Sequence, residues 1–118
     1  MSVKPNRPTH VPPHVLERLF ARIRQRQRHG DTARSYTAQL LAGGRALCVR
    51  KLGEEHMEVL LAALTGTKTE LTQESADMLY HMLVLWAQCD VEPSAVWETL
   101  EQRFARSGLV EKAERTKQ

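Results

Sequence analysis

Residues 67–89 read TKTELTQESADMLYHMLVLWAQC, and this stretch decides the fold class because it predicts one long helix. Thr67 followed by Glu70 has the spacing of a capping box, a pair of side chains that opens a helix. Farther along, Leu79 and Leu83 recur with helical spacing, and other apolar residues cover much of the remaining surface. A helix that is apolar on nearly all sides is usually buried, so this segment is predicted to be the central helix.

Glycines and prolines divide the rest of the chain into further helices. The long helices are predicted at about residues 12–29, 45–64, 67–89 and 93–107. Between the first two, Ser35 is predicted to cap a short turn, and Gly43-Gly44 to break the chain. No segment shows the sustained period of two that a strand requires. The sequence therefore predicts an all-α bundle of four main helices with short loops and antiparallel neighbours.

A single domain is expected, because the chain has 118 residues. We assign this domain to residues 12–108, with a flexible tail at residues 1–11 and a polar tail at residues 109–118. The core of such a domain is small, so oligomerisation is a natural supplement to it. Some form of oligomer is therefore expected.

Composition excludes several classes of protein. The chain is 42% hydrophobic and 26% charged, which is ordinary for a soluble globular protein. No apolar run approaches the roughly 18 residues needed to cross a bilayer, and the first residues lack the apolar region of a secretory signal. Cys48 and Cys89 make no disulfide framework, and with His56 and His81 they show no zinc-ligand spacing. The expected location is the cytoplasm, away from any membrane.

The net charge of +3 conceals an asymmetry along the chain. Residues 1–51 hold 11 Lys and Arg against 2 acids, whereas residues 52–118 hold 6 against 12. This division suggests a site that holds both cations and phosphates. A basic stretch can also bind nucleic acid, but Phe20 and Tyr36 are the only aromatic residues in the basic half. Nucleic acid is therefore not a predicted partner.

Carboxylates interrupt the apolar faces of two successive helices. Glu74 and Asp77 are three residues apart and project from one helix face, and Glu55 and Glu58 repeat the pattern on the preceding helix. One such pair is usually a solvated surface, but two pairs on antiparallel helices are less ordinary. Partly buried carboxylates cannot all stay ionised without compensation. An all-oxygen cluster suits Mg²⁺, which readily shares phosphate oxygens, so a magnesium site is predicted.

Residues 54–58, EEHME, and residues 74–77, ESAD, together match the pattern EExxE…ExxD. In this pattern the chain resembles the all-α (MazG-like) nucleotide pyrophosphohydrolases. The segments SYT at 35–37, KLGEE at 51–55 and ADMLYH at 76–81 are similar to those of one family within that group, the phosphoribosyl-ATP pyrophosphohydrolases of histidine biosynthesis. One departure is His56, where that family usually has a small residue such as alanine.

The resemblance implies hydrolysis of phosphoribosyl-ATP to phosphoribosyl-AMP and pyrophosphate, with cleavage between the α and β phosphates. It implies that the Mg²⁺ ligands are Glu55, Glu58, Glu74 and Asp77. Glu54 would join them in catalysis, either as a supporting residue or as the base that orients water. The family is also dimeric or larger, with sites near the interfaces between subunits.

Five further side chains are predicted to contact the nucleotide: Ser35, Tyr36, Thr37, Lys51 and His81. The three hydroxyl residues could bind phosphate or ribose, although alone such a segment is more often a helix cap with a packed tyrosine. Lys51 could touch a phosphate oxygen as a point charge, or form a salt bridge with Glu54 or Glu55. For His81 we favour a role in orienting Asp77 or an acid across the bundle.

Three other functions compete with this prediction. A related enzyme could hydrolyse another nucleoside triphosphate with the same acids. A helical interaction module could bind a regulatory cation without turnover. A nucleic-acid binder could use the arginines from Arg18 to Arg34, with an affinity that falls steeply as salt increases.

Overall fold

The computed structural model describes residues 14–106 and residue 115 of the chain. Within that part the chain forms five helices and no strand, which confirms the all-α prediction. The helices are α1 (Val15–His29), α2 (Tyr36–Ala42), α3 (Gly44–Thr65), α4 (Lys68–Gln88) and α5 (Pro93–Phe104). The predicted tail at residues 1–11 and the domain boundaries at 12 and 108 lie outside the described residues. So does the predicted tail at 109–118, apart from residue 115.

The turn between α3 and α4 is built as the capping box predicted for it. The Thr67 hydroxyl accepts a hydrogen bond from the Glu70 backbone N–H at 3.1 Å, and the Glu70 carboxylate accepts one from the Thr67 N–H at 2.7 Å. These bonds satisfy two backbone donors that a helix start leaves without partners. Because the connection is so short, α4 turns back along α3, and the two form the α3/α4 hairpin.

The short turn predicted after Ser35 is a seven-residue helix, α2. The Ser35 hydroxyl accepts a hydrogen bond from the Ala38 N–H at 3.1 Å, so Ser35 is the N-cap of this helix. The next helix begins at Gly44, whose φ of +88° lies in the left-handed region that favours glycine. The two glycines therefore do separate the segments, as predicted, but they join two helices directly.

The end of α1 lies close against α2 because Gly30 has no side chain. A Cβ atom at Gly30 would lie 2.8 Å from the Cβ of Ala38, which is closer than two carbon atoms can pack. Ala38 and Leu40 of α2 are both buried in this contact region. Glycine thus permits the close approach that places α2 over the hairpin.

The hydrophobic core lies at one end of the α3/α4 hairpin. Its buried residues are Phe20 and Ile23 of α1, Leu40 of α2, Cys48 of α3, and Leu83, Val84 and Ala87 of α4. The prediction of a buried central helix holds for this second half of α4. It does not hold for the first half, where residues 68–79 are all exposed or half-buried.

Helix α5 is attached to the bundle by a few specific contacts. The rings of Trp86 and Trp97 meet edge to face with centroids 5.9 Å apart. Arg24 of α1 forms salt bridges with Asp90 at 3.0 Å and with Glu92 at 2.8 Å, just before α5 begins. None of the helices in residues 14–106 is both long enough and apolar enough to cross a membrane.

Candidate active site

Three carboxylates meet on one side of the α3/α4 hairpin. Glu55 projects from α3, and Glu74 and Asp77 project from α4. One carboxylate oxygen of each residue lies within 4.8 Å of the others, and we call this group the carboxylate cluster. The three-residue spacing puts the two acids of α4 on one face, and the antiparallel pairing brings Glu55 opposite them.

Two glutamates of the carboxylate cluster, Glu55 and Glu74, have raised pKa values. Partial burial and then the negative charges of neighbouring acids, Asp77 foremost, raise the pKa of Glu55, and Lys51 opposes the shift. For Glu74 the pKa is likewise raised by desolvation and then by Glu58 and the other acids. Both glutamates are half-buried, so water screens them incompletely. A divalent cation among these oxygens would relieve the repulsion.

Glu58 lies beside the carboxylate cluster and outside its tight group of oxygens. Its charge raises the pKa of both Glu55 and Glu74, so it is within electrostatic reach of both. Glu58 and Glu74 also line a cavity of about 240 Å³ near the hairpin turn. The third acid of that cavity, Glu70, is held in the capping box. The four predicted acids thus share one side of the hairpin.

Glu54 points to a separate pair of cations. Its carboxylate lies 3.6 Å from Lys51 Nζ and 3.9 Å from Arg50 Nε. Of the two predicted roles of Lys51, the salt bridge with Glu54 is therefore formed. The ammonium group still lowers the pKa of Glu55, so it lies near the carboxylate cluster.

Two of the three hydroxyls at residues 35–37 already have partners within the protein. Ser35 caps α2, and the Thr37 hydroxyl lies 2.5 Å from the hydroxyl of Tyr80 on α4. The third residue, Tyr36, is 51% exposed. Tyr80 is not predicted from the sequence to be the partner of Thr37. A buried tyrosine nevertheless usually needs a partner for its hydroxyl. That rule is the signal that could have found the pair.

His81 is the one buried polar side chain of the described core, with 7% of its surface exposed. Its ring meets Tyr80 at 5.0 Å and Tyr36 at 6.2 Å between centroids, edge to face in both cases. Burial lowers its pKa, and the nearby Asp77 partly opposes this shift. His81 is therefore neutral at physiological pH, and it lies between the exposed Tyr36 and the helix turn that carries Asp77.

Comparison with family models gives one match that covers most of the chain. Residues 16–104 match the model described as phosphoribosyl-ATP pyrophosphohydrolase. The matched region includes all five helices except the first residue of α1. It also contains the carboxylate cluster, Glu58, and residues 35–37, where α2 begins.

Several curated proteins named phosphoribosyl-ATP pyrophosphatase are similar over nearly their whole length. The protein from Paramagnetospirillum magneticum is 50% identical over 103 residues, which cover 87% of this chain and 94% of that protein. The one from Azospirillum brasilense is 47% identical, with 83% and 87% covered. The one from Rhodospirillum rubrum is 48% identical, with 89% of each chain covered.

Proposed function

The chain belongs to the phosphoribosyl-ATP pyrophosphohydrolase family, and from this premise we propose that it hydrolyses phosphoribosyl-ATP. The reaction takes up one water and breaks the phosphoanhydride between the α and β phosphates. Its products are phosphoribosyl-AMP and pyrophosphate, and the reaction is the second step of histidine biosynthesis. The observation that carries the proposal is the carboxylate cluster, which lies within the part of the chain that matches the family.

The donor set of the carboxylate cluster fits Mg²⁺. It offers three carboxylate oxygens within 4.8 Å of one another, and hard oxygen ligands are those that Mg²⁺ prefers. We propose Glu55, Glu74 and Asp77 as ligands, with Glu58 as the fourth. When bound, Mg²⁺ would neutralise charge on the polyphosphate oxygens and would orient the polyphosphate.

The remaining proposed roles, proton transfer and charge stabilisation, fall to side chains in and beside the carboxylate cluster. One carboxylate of the group that the metal does not fully engage is proposed to accept the proton of the attacking water. Lys51 contributes a positive charge toward the phosphates, and its salt bridge with Glu54 fixes where that charge lies. Glu54 is thus proposed as a supporting residue, one step removed from the reacting atoms.

Exposed apolar side chains support the proposal of a homodimer or larger homo-oligomer. On the hairpin beyond the core, Leu60 and Leu61 are exposed, and 81% of the surface of Leu64 is open to solvent. Burying one such side chain contributes roughly 1.5–3 kcal/mol, so a second copy that covers this face would stabilise the hairpin substantially. Because the same hairpin carries the carboxylate cluster, assembly and catalysis would depend on one element.

The proposed compartment is the cytoplasm, where histidine biosynthesis would supply the nucleotide. Both cysteines are free thiols, and Cys48 is buried. Free thiols persist in a reducing compartment, which supports this proposal.

Pyrophosphate release from a panel of nucleotides tests the proposed function. The panel is phosphoribosyl-ATP, ATP, dCTP and dUTP, each with Mg²⁺ and with a chelator. We expect release from phosphoribosyl-ATP that requires Mg²⁺, and little from the other three. Asp77→Asn should remove the activity, whereas Glu98→Gln, an exposed acid of α5, is the matched control and should retain it.

This panel, together with binding measurements for Mg²⁺ and for nucleic acid, separates the competing functions. Release from a simple triphosphate alone would keep the metal site and overturn the substrate. No release from any nucleotide by a folded protein that still binds Mg²⁺ would favour an interaction module. Affinity for nucleic acid that falls steeply with salt would favour the basic stretch as a binding surface.

A further inference from the structure

Tyr36 presents an aromatic ring at the surface beside the proposed active site. The ring is 51% exposed, although it begins a helix that packs on the core. Its edge contact with His81, at 81° between the ring planes, supports it from one side. Part of the tyrosine therefore remains free for another planar group.

The support beneath Tyr36 is rigid. Ser35 caps the helix that Tyr36 begins, and Thr37 is hydrogen-bonded to Tyr80 on α4. Tyr80 in turn contacts His81 at 5.0 Å. A ring whose helix is anchored in this way and whose edge contacts His81 loses less conformational freedom when a ligand stacks on it, so less of the binding free energy is lost to ordering.

His81 also brings this support within electrostatic reach of Asp77 in the carboxylate cluster. His81 follows Asp77 by four residues on α4, so the two side chains lie on one face in adjacent turns. Tyr36 contacts His81 from α2. A nucleotide whose phosphates lie at the acids can therefore direct its base toward Tyr36.

The base of phosphoribosyl-ATP differs from that of ATP in charge. Adenine that carries a substituent on N1 can no longer take the neutral amino form of the unsubstituted base. At neutral pH the substituted base is protonated, and the positive charge is delocalised over the ring. The base of ATP is neutral under the same conditions. The face of a tyrosine ring attracts a cation more strongly than a neutral group.

We propose that Tyr36 is the surface on which the N1-substituted adenine of the substrate stacks, and that its ring selects this cationic base over the neutral base of ATP. This inference rests on the proposed function. It assigns to Tyr36 a part in specificity, while the acids and Lys51 act on the phosphates. The Thr37–Tyr80 pair has a positioning role beneath it.

Equilibrium binding of two small probes isolates the charge of the base. The probes are 1-methyl-AMP, which has the cationic base without a second ribose, and AMP, both measured by calorimetry with Mg²⁺ and the full chain. We expect the unaltered protein and Tyr36→Phe to bind 1-methyl-AMP about tenfold more tightly than AMP. Tyr36→Leu, which keeps an apolar side chain without the ring face, should lose this preference. Phe104→Leu, at an aromatic residue of α5 that is 81% exposed, is the control and should keep it.

Steady-state kinetics with phosphoribosyl-ATP distinguish failure of this inference from failure of the proposed function. Tyr36→Leu should raise KM about tenfold with little change in kcat, and Tyr36→Phe should restore KM. If the unaltered protein hydrolyses phosphoribosyl-ATP while Tyr36→Leu keeps both its KM and its preference for 1-methyl-AMP, the role of Tyr36 is overturned and the proposed function stands. If the unaltered protein hydrolyses no phosphoribosyl-ATP, both are overturned.

Discussion

The side-chain hydroxyls of Thr37 and Tyr80 lie 2.5 Å apart, and this hydrogen bond ties α2 to α4 beside the carboxylate cluster. Burial raises the pKa of the Tyr80 phenol, so the group stays protonated and can donate at neutral pH. The sequence predicts that Thr37 contacts the nucleotide, and this contact stays a prediction. In the structure the Thr37 hydroxyl is bonded to Tyr80 and so helps to fix the helix that begins with Tyr36.

Removing one hydroxyl of this pair should destabilise the protein modestly. Tyr80→Phe and Thr37→Val should each lower the free energy of unfolding by about 1 kcal/mol, because each leaves a partly buried hydroxyl without its partner. The double variant should lose less than the sum, with a coupling energy of about 1 kcal/mol. Urea denaturation of the four proteins measures this cycle. Strict additivity would show that the two hydroxyls do not interact in solution.

Neutralising Glu74 should stabilise the metal-free protein and remove its activity. The folded-state pKa of Glu74 is raised, through desolvation and then repulsion by Glu58 and other acids. Folding therefore favours the protonated form of Glu74. The stability that this carboxyl group contributes is lost as pH rises through its raised pKa. At neutral pH Glu74→Gln should accordingly raise Tm in the presence of a chelator. Pyrophosphate release should fall at least about 100-fold, because a proposed metal ligand is lost.

The control for that prediction is Glu98→Gln, which removes an exposed acid on α5. Its Tm and its activity should both stay close to those of the unaltered protein. A lower Tm for Glu74→Gln than for the unaltered protein without metal would contradict the proposed repulsion in the carboxylate cluster.

Magnesium should stabilise the protein in a pH-dependent way. At the proposed site Mg²⁺ would bind the ionised carboxylates of the folded state, so it would compete with protons for Glu55 and Glu74. Without metal, the stability that these two acids contribute should be lost as pH rises through their raised pKa values. The rise in Tm on adding Mg²⁺ should therefore be larger at about pH 8 than at about pH 5. Differential scanning fluorimetry measures both trends, and an equal rise for Asp77→Asn would argue against the site.

The proposed oligomer should depend on the hairpin face and not on α5. Leu64 of α3 and Phe104 of α5 each expose 81% of their surface, so they form a matched pair. Leu64→Glu should dissociate the assembly, because a charge would be buried in the proposed interface at a cost of several kcal/mol. Phe104→Glu should leave it intact. Sedimentation velocity compares the two variants, and the opposite pattern would move the interface to α5.

Much of the fold could be predicted because its signals are local. The capping box of Thr67 and Glu70 and the glycines at positions 43 and 44 fix helix ends through backbone geometry within a few residues. Helical periodicity likewise put Glu74 beside Asp77. The pairing of these acids with Glu55 followed from the short α3–α4 turn, which leaves few alternatives to antiparallel packing.

What could not be predicted depends on contacts between residues distant in sequence. The partner of Thr37 is 43 positions away, and nothing near either residue indicates it. The incomplete burial of α4 has a similar cause, because it depends on which other helices pack against each half of α4. Periodicity places Leu79 on an apolar face of α4, but it does not show what covers that face.

The central claim is that this chain cleaves phosphoribosyl-ATP between its α and β phosphates with Mg²⁺ at the carboxylate cluster. Phosphorus NMR of the reaction mixture tests it most directly, because pyrophosphate and orthophosphate give separate signals. We predict equal amounts of phosphoribosyl-AMP and pyrophosphate from the unaltered protein with Mg²⁺, and neither product from Asp77→Asn. Release of orthophosphate, full activity in Asp77→Asn, or an unchanged substrate with the unaltered protein would contradict the account.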